Sequence, residues 1–121
     1  MSEKKKEILI IDDSTDAIKV LIKVLTPEFT VYFSTDGFKG IEQAKDKKPD
    51  LILLDILMDK INGYEVCKLL KRDKETADIP VIFLTAVSES MDEAQAFSIG
   101  GADYITKPFV PVIVLARIRN H

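Results

Sequence analysis

Acidic side chains stand directly after two apolar runs of the sequence. Asp12 and Asp13 follow residues 8 to 11, and Asp55 follows residues 51 to 54. If the two runs are neighbouring strands, the carboxylates meet, and each pair about 5 Å apart repels by about 3 kcal/mol at an effective dielectric near 20. A hard divalent cation would relieve this repulsion, and ligation by oxygen alone favours Mg²⁺. The spacing therefore indicates a magnesium site.

Phosphoryl transfer is the chemistry that such a site favours. A carboxylate beside a metal ion can attack phosphorus and form an acyl phosphate, and a nearby ammonium and hydroxyl can stabilise the phosphoryl oxygens. Thr85 follows the apolar run of residues 81 to 84, and Lys107 follows a weaker run. Both would complete the site at the same sheet edge. The competing interpretation is that Asp13 caps a helix and Asp55 caps a loop.

The composition limits the other function classes. The chain has 121 residues, enough for one domain. The single Cys excludes an internal disulfide framework, and one Cys with one His leaves too few ligands for a zinc site. The net charge of -3 argues against general nucleic-acid binding, which needs a basic face. No apolar run approaches the roughly 20 residues of a membrane span, so we expect no membrane association and a cytoplasmic location.

The hydrophobic pattern alternates between short apolar runs and longer amphipathic stretches. Continuous apolar runs are typical of parallel strands buried on both faces, and apolar residues at helical spacing indicate amphipathic helices. Strands are predicted near residues 8 to 11, 30 to 33, 51 to 54, 81 to 84 and 104 to 106. Helices are predicted near residues 14 to 26, 36 to 47, 63 to 74, 88 to 99 and 110 to 119. Asp13 or Ser14 would cap the first helix, and Ser90 with Glu93 would form a capping box for the fourth.

Five strands that each precede a helix predict an α/β domain. Parallel neighbours need right-handed crossover connections, which give a doubly wound, five-stranded parallel sheet with helices on both faces. In the strand order 2-1-3-4-5, the order reverses between the first and third strands. Ligands bind at that point, beyond the carboxyl ends of the strands. Asp12, Asp13 and Asp55 follow those two ends.

The polar residues at the strand ends resemble, in order and spacing, the receiver domain of two-component response regulators. The resemblance covers almost the whole chain and rests on Asp12-Asp13, Asp55, Thr85-Ala86, Tyr104 and Lys107-Pro108. Two longer stretches are especially similar to the family: Leu53-Leu54-Asp55-Ile56-Leu57-Met58 and Asp103-Tyr104-Ile105-Thr106-Lys107-Pro108-Phe109. The resemblance implies a flavodoxin-like (βα)5 fold.

The resemblance also implies a reaction. A sensor histidine kinase or a histidine phosphotransfer protein would donate a phosphoryl group from phosphohistidine to Asp55, with Mg²⁺ as cofactor. The metal ligands would be Asp12, Asp13, Asp55 and the backbone carbonyl of Leu57. The chain would be a phosphoacceptor signalling domain of a phosphorelay. It would not be an enzyme in the usual sense, since only its own phosphorylation and dephosphorylation would be catalysed.

A conformational switch is the third implication of the resemblance. Thr85 and Lys107 would contact the phosphoryl group, and Tyr104 would move inward together with Thr85 in the active state. This relay would change the surface of the predicted fourth helix, fifth strand and fifth helix, and would thereby control an output domain or partner protein. The Lys107-Pro108 bond is similar to one that is cis in the family.

Three positions near the expected site depart from the family or are apolar. Asp59 stands four residues past Asp55, where the family commonly has proline, which removes a fixed φ and adds a charge. We expect its side chain to point to solvent. Leu57 and Val87 occupy positions that in the family influence how readily water reaches the acyl phosphate. Neither side chain can orient a water molecule, which predicts slow self-dephosphorylation.

The last predicted helix has more hydrophobic residues than one buried face requires. Eight of the ten residues 109 to 118 are hydrophobic. If the core-facing set is Ile113, Leu115 and Ile118, the valines of this helix cannot all point inward as well. An exposed apolar strip predicts a partner, either a homodimer through the predicted fourth helix, fifth strand and fifth helix or a neighbouring domain.

The sequence ends within this predicted helix, at His121. We therefore expect residues 1 to 121 to be a single receiver domain cut from a longer protein, with an output domain after residue 121. A free-standing receiver domain is the competing interpretation. His121 is the only His, and its terminal position argues for a structural role.

Three other function classes are weighed against the phosphoacceptor. A flavin-binding electron carrier shares the topology, but the acidic loop after the first strand would repel the flavin phosphate. An aspartate-nucleophile phosphatase places an Asp-x-Asp pattern after the first strand, which Asp12-Asp13-Ser14 does not match. The third class is a pseudo-receiver that is not phosphorylated and acts as an interaction module, for which Asp59 is the only argument.

Overall fold

The protein's computed structural model describes residues 4 to 86, 98 and 100 to 121. The elements in chain order are β1 Glu7–Ile11, α1 Thr15–Leu25, β2 Thr30–Ser34, α2 Gly37–Lys47, β3 Leu51–Asp55, α3 Gly63–Arg72, β4 Val81–Ala86, β5 Asp103–Lys107 and α4 Pro111–Arg119. The predicted helix at residues 88 to 99, with its capping box of Ser90 and Glu93, lies outside the described residues, apart from Ser98.

The five strands form one parallel sheet in the order β2-β1-β3-β4-β5. This is the doubly wound order that the sequence predicted. The reversal of order places β1 next to β3, and Ile11 pairs with Leu54 at their carboxyl ends. Asp12 and Asp55, the next residue along each strand, are therefore brought to one edge of the sheet.

Helices cover both faces of the sheet, and each face has its own apolar core. Successive strand residues point to opposite faces, so Leu9 and Ile11 pack with α2 and α3, whereas Ile8 and Ile10 pack with α1 and α4. The continuous apolar runs of β1 and β3 follow from this, because both sides of these central strands are buried.

Side-chain caps fix where three helices begin. Ser14 Oγ accepts a hydrogen bond from the Ala17 amide at 3.2 Å, which makes Ser14 the cap of α1. Asp36 caps α2 and Asn62 caps α3 in the same way, each accepting at 3.0 Å from an amide three residues further on. Because Ser14 caps α1, the side chain of Asp13 is available for the site.

The last helix differs from its predicted form in the residues that it buries. Val114 and Ile118 face the core, whereas Ile113, predicted to face inward, is 46% exposed. The reason is helical geometry: residues four apart share a face, and Val114 is four before Ile118. The apolar strip predicted for this helix is present, with Val112 the most exposed of its residues at 76%.

No helix in the described part of the chain is sufficiently long and apolar to cross a lipid bilayer.

Candidate functional site

Three carboxylates converge beyond the carboxyl ends of β1 and β3. One oxygen from each of Asp12, Asp13 and Asp55 lies within 4.8 Å of the others. Asp12 and Asp55 are buried, whereas Asp13 is exposed. The structure therefore brings together the three side chains that the sequence predicted to meet, and it buries two of them where unrelieved charge is unfavourable.

The two carboxylate oxygens of Asp12 differ in their hydrogen bonding. Its Oδ1 accepts a hydrogen bond from the Ser14 amide at 2.9 Å. Its Oδ2 is buried and accepts no hydrogen bond from any described residue. The ammonium of Lys107 lies 3.3 Å from this oxygen and forms an ion pair without hydrogen-bond geometry. Because a buried acceptor normally has a partner, Asp12 Oδ2 is available to bind a cation.

Lys107 joins two of the carboxylates. Its Nζ lies 3.3 Å from Asp12 Oδ2 and 3.5 Å from Asp55 Oδ1. Lys107 is the last residue of β5, so the strand itself delivers the ammonium to the acidic edge. The Lys107-Pro108 peptide bond after it is cis, as the resemblance implied.

The Asp55 carboxyl has an unusual affinity for a proton. Its pKa is raised from 3.8 to about 7: burial is the largest cause, repulsion from Asp12 also raises it, and the Lys107 ammonium lowers it. The Lys107 ammonium pairs with Asp12 and Asp55, and with Asp13 beside them the site carries excess negative charge when all three carboxyls are ionised. Removing that charge requires a proton or a cation.

The donor set fits Mg²⁺. All three side chains offer oxygen, two of them from buried positions, and Asp12 Oδ2 lacks a hydrogen-bond donor among the described residues. Hard divalent cations prefer such ligands. The fourth predicted ligand, the Leu57 carbonyl, belongs to the loop directly after β3, where the Leu57 side chain is 59% exposed.

Asp59 also lies in this loop, near the acidic site. Its side chain is exposed, as expected, and its backbone amide donates a hydrogen bond to Asp13 Oδ2 at 3.3 Å. The backbone therefore helps to position Asp13, a contact that proline at this position could not make because it lacks an N–H. Val87, the second residue of the dephosphorylation hypothesis, lies outside the described residues, so that hypothesis stays a prediction.

Thr85 and Tyr104 lie on the same face of the sheet. Thr85 is buried at the end of β4, and its hydroxyl donates to the Ala86 carbonyl at 3.4 Å. Tyr104 on β5 pairs with Phe83, two residues before Thr85, and its half-buried ring packs on the α2–α3 side. A move of the ring along β4 would bring it to Thr85.

Gly63 is a site residue that the sequence pattern indicates only as the start of a helix. A Cβ added to Gly63 would lie 2.3 Å from the Asp55 carbonyl oxygen and 2.8 Å from the Ile56 Cα. Its amide donates to the Ile56 carbonyl at 2.8 Å. The start of α3 is thus packed directly against the backbone of the central carboxylate.

Gly63→Ala is expected to destabilise the fold by about 2 kcal/mol or more, because the new methyl group meets backbone atoms that cannot rotate away. Urea unfolding of the variant and of Lys68→Ala, an exposed change on the same helix, measures the effect. Equal midpoints for the two variants would show that the Asp55 backbone tolerates the methyl group.

Comparisons with known proteins identify the family. The model of the response regulator receiver domain matches residues 8 to 119. The DNA-binding dual master transcriptional regulator RpaA of Synechocystis is 43% identical over 115 residues, which are 93% of this chain and 47% of RpaA. The alkaline phosphatase synthesis regulator PhoP of Bacillus subtilis is 37% identical over 94% of this chain and 47% of its own length. The chain thus spans about half the length of these curated relatives.

Solved structures agree with this result. A putative response regulator from Chloroflexus aurantiacus has a TM-score of 0.91 at 30% identity, with 97% of each chain covered. The chemotaxis protein CheY4 of Vibrio cholerae has a TM-score of 0.89 at 21% identity, over 96% of this chain and 98% of its own, and shares the flavodoxin-like fold. From the sheet order, the acidic edge and these matches together, we conclude that the chain belongs to the response regulator receiver domain family.

Proposed function

We propose that this domain accepts a phosphoryl group on Asp55 from the phosphohistidine of a sensor histidine kinase or a histidine phosphotransfer protein. The observation that carries the proposal is the position of Asp55 beside a buried acceptor, Asp12 Oδ2, and a shared ammonium, Lys107 Nζ. A carboxylate oxygen of Asp55 bonds to phosphorus as the phosphorus–nitrogen bond of the donor breaks, and the bonding pair stays on the imidazole nitrogen.

The other site residues prepare this transfer. Lys107 lies between Asp12 and Asp55 and can neutralise charge on the phosphoryl oxygens. Thr85 brings a hydroxyl to the neighbouring strand end, where it can donate to the same oxygens. Catalysis of this kind consists of positioning and charge stabilisation, and it needs no further nucleophile.

Asp12, Asp13, Asp55 and the Leu57 carbonyl would hold Mg²⁺. The ion, when bound, neutralises charge on the transferring phosphoryl group. Asp12 and Asp13 would contribute to the reaction as ligands of this ion. The Ser14 amide orients Asp12 through a hydrogen bond of 2.9 Å, and the Asp59 amide orients Asp13 through one of 3.3 Å.

The phosphorylated state would differ at Thr85 and Tyr104. A phosphoryl group adds negative charge and strong acceptors, which would draw the Thr85 hydroxyl toward Asp55. Tyr104, on the same sheet face, would occupy the space that Thr85 leaves. The change would reach the surface formed by the predicted fourth helix near residues 88 to 99, β5 and α4, and would control an output domain or partner in the cytoplasm. The relatives RpaA and PhoP are named as transcriptional regulators, which supports an output of that kind.

The exposed apolar strip at the start of α4, formed by the N-cap residue Val110 together with Val112 and Ile113, supports a homodimer through this surface. We expect the domain with Mg²⁺ and beryllofluoride to sediment as a dimer, and Val112→Glu to sediment as a monomer. Val20→Glu, which charges an exposed valine of α1, is the matched control and should leave the dimer intact. A wild-type monomer with and without beryllofluoride would eliminate the dimer.

A pseudo-receiver that serves only as an interaction module is the alternative function, and Asp59 is the residue that supports it. Incubation with Mg²⁺ and acetyl phosphate, followed by intact-mass measurement, separates the two. We expect wild type and Asp46→Asn, a change at an exposed acid of α2, to gain one phosphoryl group, and Asp55→Asn to gain none. A wild type without added mass would favour the pseudo-receiver, and equal gain by Asp55→Asn would reject Asp55 as the acceptor.

A further inference from the structure

Arg117 of α4 contacts two neighbouring residues of the edge strand β5. Its Nη1 donates to Asp103 Oδ1 at 3.2 Å and lies 3.4 Å from Oδ2. The central carbon of its guanidinium lies 5.9 Å from the centre of the Tyr104 ring, within the range of a cation–π contact. One side chain thus joins the last helix to the tyrosine of the proposed switch.

These two contacts lie on opposite faces of the sheet. Asp103 pairs with Ile82, whose side chain packs on the side of α1 and α4. Tyr104 pairs with Phe83, whose side chain packs on the side of α2 and α3. Arg117 therefore reaches around the outer edge of β5 and contacts residues on both faces of the sheet.

Asp103 is a firm anchor for this arginine. Its Oδ1 also accepts from the Tyr104 amide at 2.8 Å, and its Oδ2 lies 3.2 Å from His121 Nε2. The Asp103 side chain is 11% exposed, whereas that of Arg117 is 46% exposed. The two bonds to Asp103 favour a guanidinium that stays at this end of the strand when the ring moves.

The direction of the proposed switch takes Tyr104 away from this anchor. Asp103 is the first residue of β5 and lies at the amino end of the strand. Thr85 lies two residues beyond Phe83, toward the carboxyl ends of the strands. A ring that moves to Thr85 must leave the guanidinium, and the cation–π contact is lost.

We infer that Arg117 is a positioning residue that restrains Tyr104 in the unphosphorylated protein and so sets how readily the domain is activated. The inference rests on the proposed Thr85–Tyr104 switch and adds a residue on the opposite helix layer to it. Removing the guanidinium favours the inward position of the Tyr104 ring. Ligands that bind preferentially to the active state should therefore bind more tightly.

The test uses Mg²⁺ with beryllofluoride as the phosphoryl analogue and 3-fluorotyrosine as the reporter. The chain has three tyrosines, so single substitutions assign the ¹⁹F line of Tyr104. We expect Arg117→Ala to bind beryllofluoride about two- to fivefold more tightly than wild type, as loss of an exposed cation–π contact predicts. Arg117→Lys, which keeps a cation near the ring, should return affinity toward wild type.

Two controls separate this role from a general effect on the helix. Arg119→Ala removes an ion pair with Glu28 from the same helix without touching Tyr104, and should leave the affinity unchanged. In a Tyr104→Leu background, which lacks the aromatic face and in which calorimetric titration of beryllofluoride replaces the ¹⁹F readout, Arg117→Ala should have no effect. Unchanged or weaker binding by Arg117→Ala, with a normal wild-type response, would overturn the inference alone. No beryllofluoride response from wild type would overturn the proposed function, and the inference with it.

Discussion

Replacement of Lys107 by alanine is expected to slow the phosphorylation of Asp55 by about 100-fold or more, the usual effect of removing one preorganised charge donor from a transition state. The Lys107 ammonium lies 3.3 Å from Asp12 Oδ2 and 3.5 Å from Asp55 Oδ1. Without it, two buried carboxylates face each other with no fixed positive charge, and the phosphoryl oxygens lose their nearest cation. Initial rates of phosphoprotein formation from acetyl phosphate, at saturating Mg²⁺, measure the loss.

Lys60→Ala provides the matched control for this experiment. Lys60 lies on the loop after β3 and pairs at 3.5 Å with the Asp36 cap, but its side chain is 72% exposed. Exposed ion pairs contribute little, so this variant should phosphorylate at nearly the wild-type rate. Equal rates for Lys107→Ala and Lys60→Ala would mean that Lys107 has no part in the transfer.

A second large effect is expected on stability. In metal-free buffer at neutral pH, Asp55→Asn should raise the free energy of unfolding by about 1–2 kcal/mol, because it removes one of three crowded carboxylates whose pairwise repulsion is a few kcal/mol before the Lys107 attraction is counted. Urea unfolding measures the difference. Asp46→Asn, at an exposed site on α2, controls for the substitution itself and should leave stability within about 0.5 kcal/mol of wild type.

The pH dependence of this stability has a definite sign. The folded protein raises the pKa of Asp55 from 3.8 to about 7, so between these pH values the folded state binds a proton that the unfolded state has released. The stability contribution of this group is therefore fully present below pH 3.8 and is lost as the pH rises to about 7. Asp55→Asn should lack this component, and the two stability curves should separate as the pH rises.

Added Mg²⁺ should reverse the order of stability. A ligand that binds only the folded state stabilises it, and wild type has the complete set of carboxylates. The midpoint of wild type should therefore rise with Mg²⁺ concentration, whereas that of Asp55→Asn should rise much less. Parallel increases in both proteins would argue against a metal site that includes Asp55.

The sequence was sufficient to predict the sheet and the meeting of the acids. The apolar runs of β1 and β3 are continuous because both faces of these strands are buried, and parallel topology then fixes which strand ends meet. Asp12 and Asp55 follow those ends, so their proximity is a consequence of strand order. Lys107 could be placed for the same reason, because it directly follows the predicted fifth strand of the same parallel sheet.

Features that depend on tertiary packing could not be predicted. The sequence offered Asp13 and Ser14 equally as the cap of α1, and only the loop geometry decides for Ser14. The contact of Gly63 with the Asp55 backbone and the reach of Arg117 to Tyr104 join residues that are distant in sequence. No local pattern encodes such contacts, since they depend on how a helix packs against the end or edge of the sheet.

Chemical trapping of the phosphorylated residue tests the central claim most directly. Borohydride reduces an aspartyl phosphate to homoserine, so protein treated with acetyl phosphate and Mg²⁺, then reduced and digested, records the acceptor position by peptide mass. We predict homoserine at position 55 alone, in an amount equal to the phosphorylated fraction. Homoserine at position 12 or 13, or a phosphoryl group that withstands reduction on a serine, threonine or histidine, would contradict the assignment of Asp55 as the phosphoacceptor.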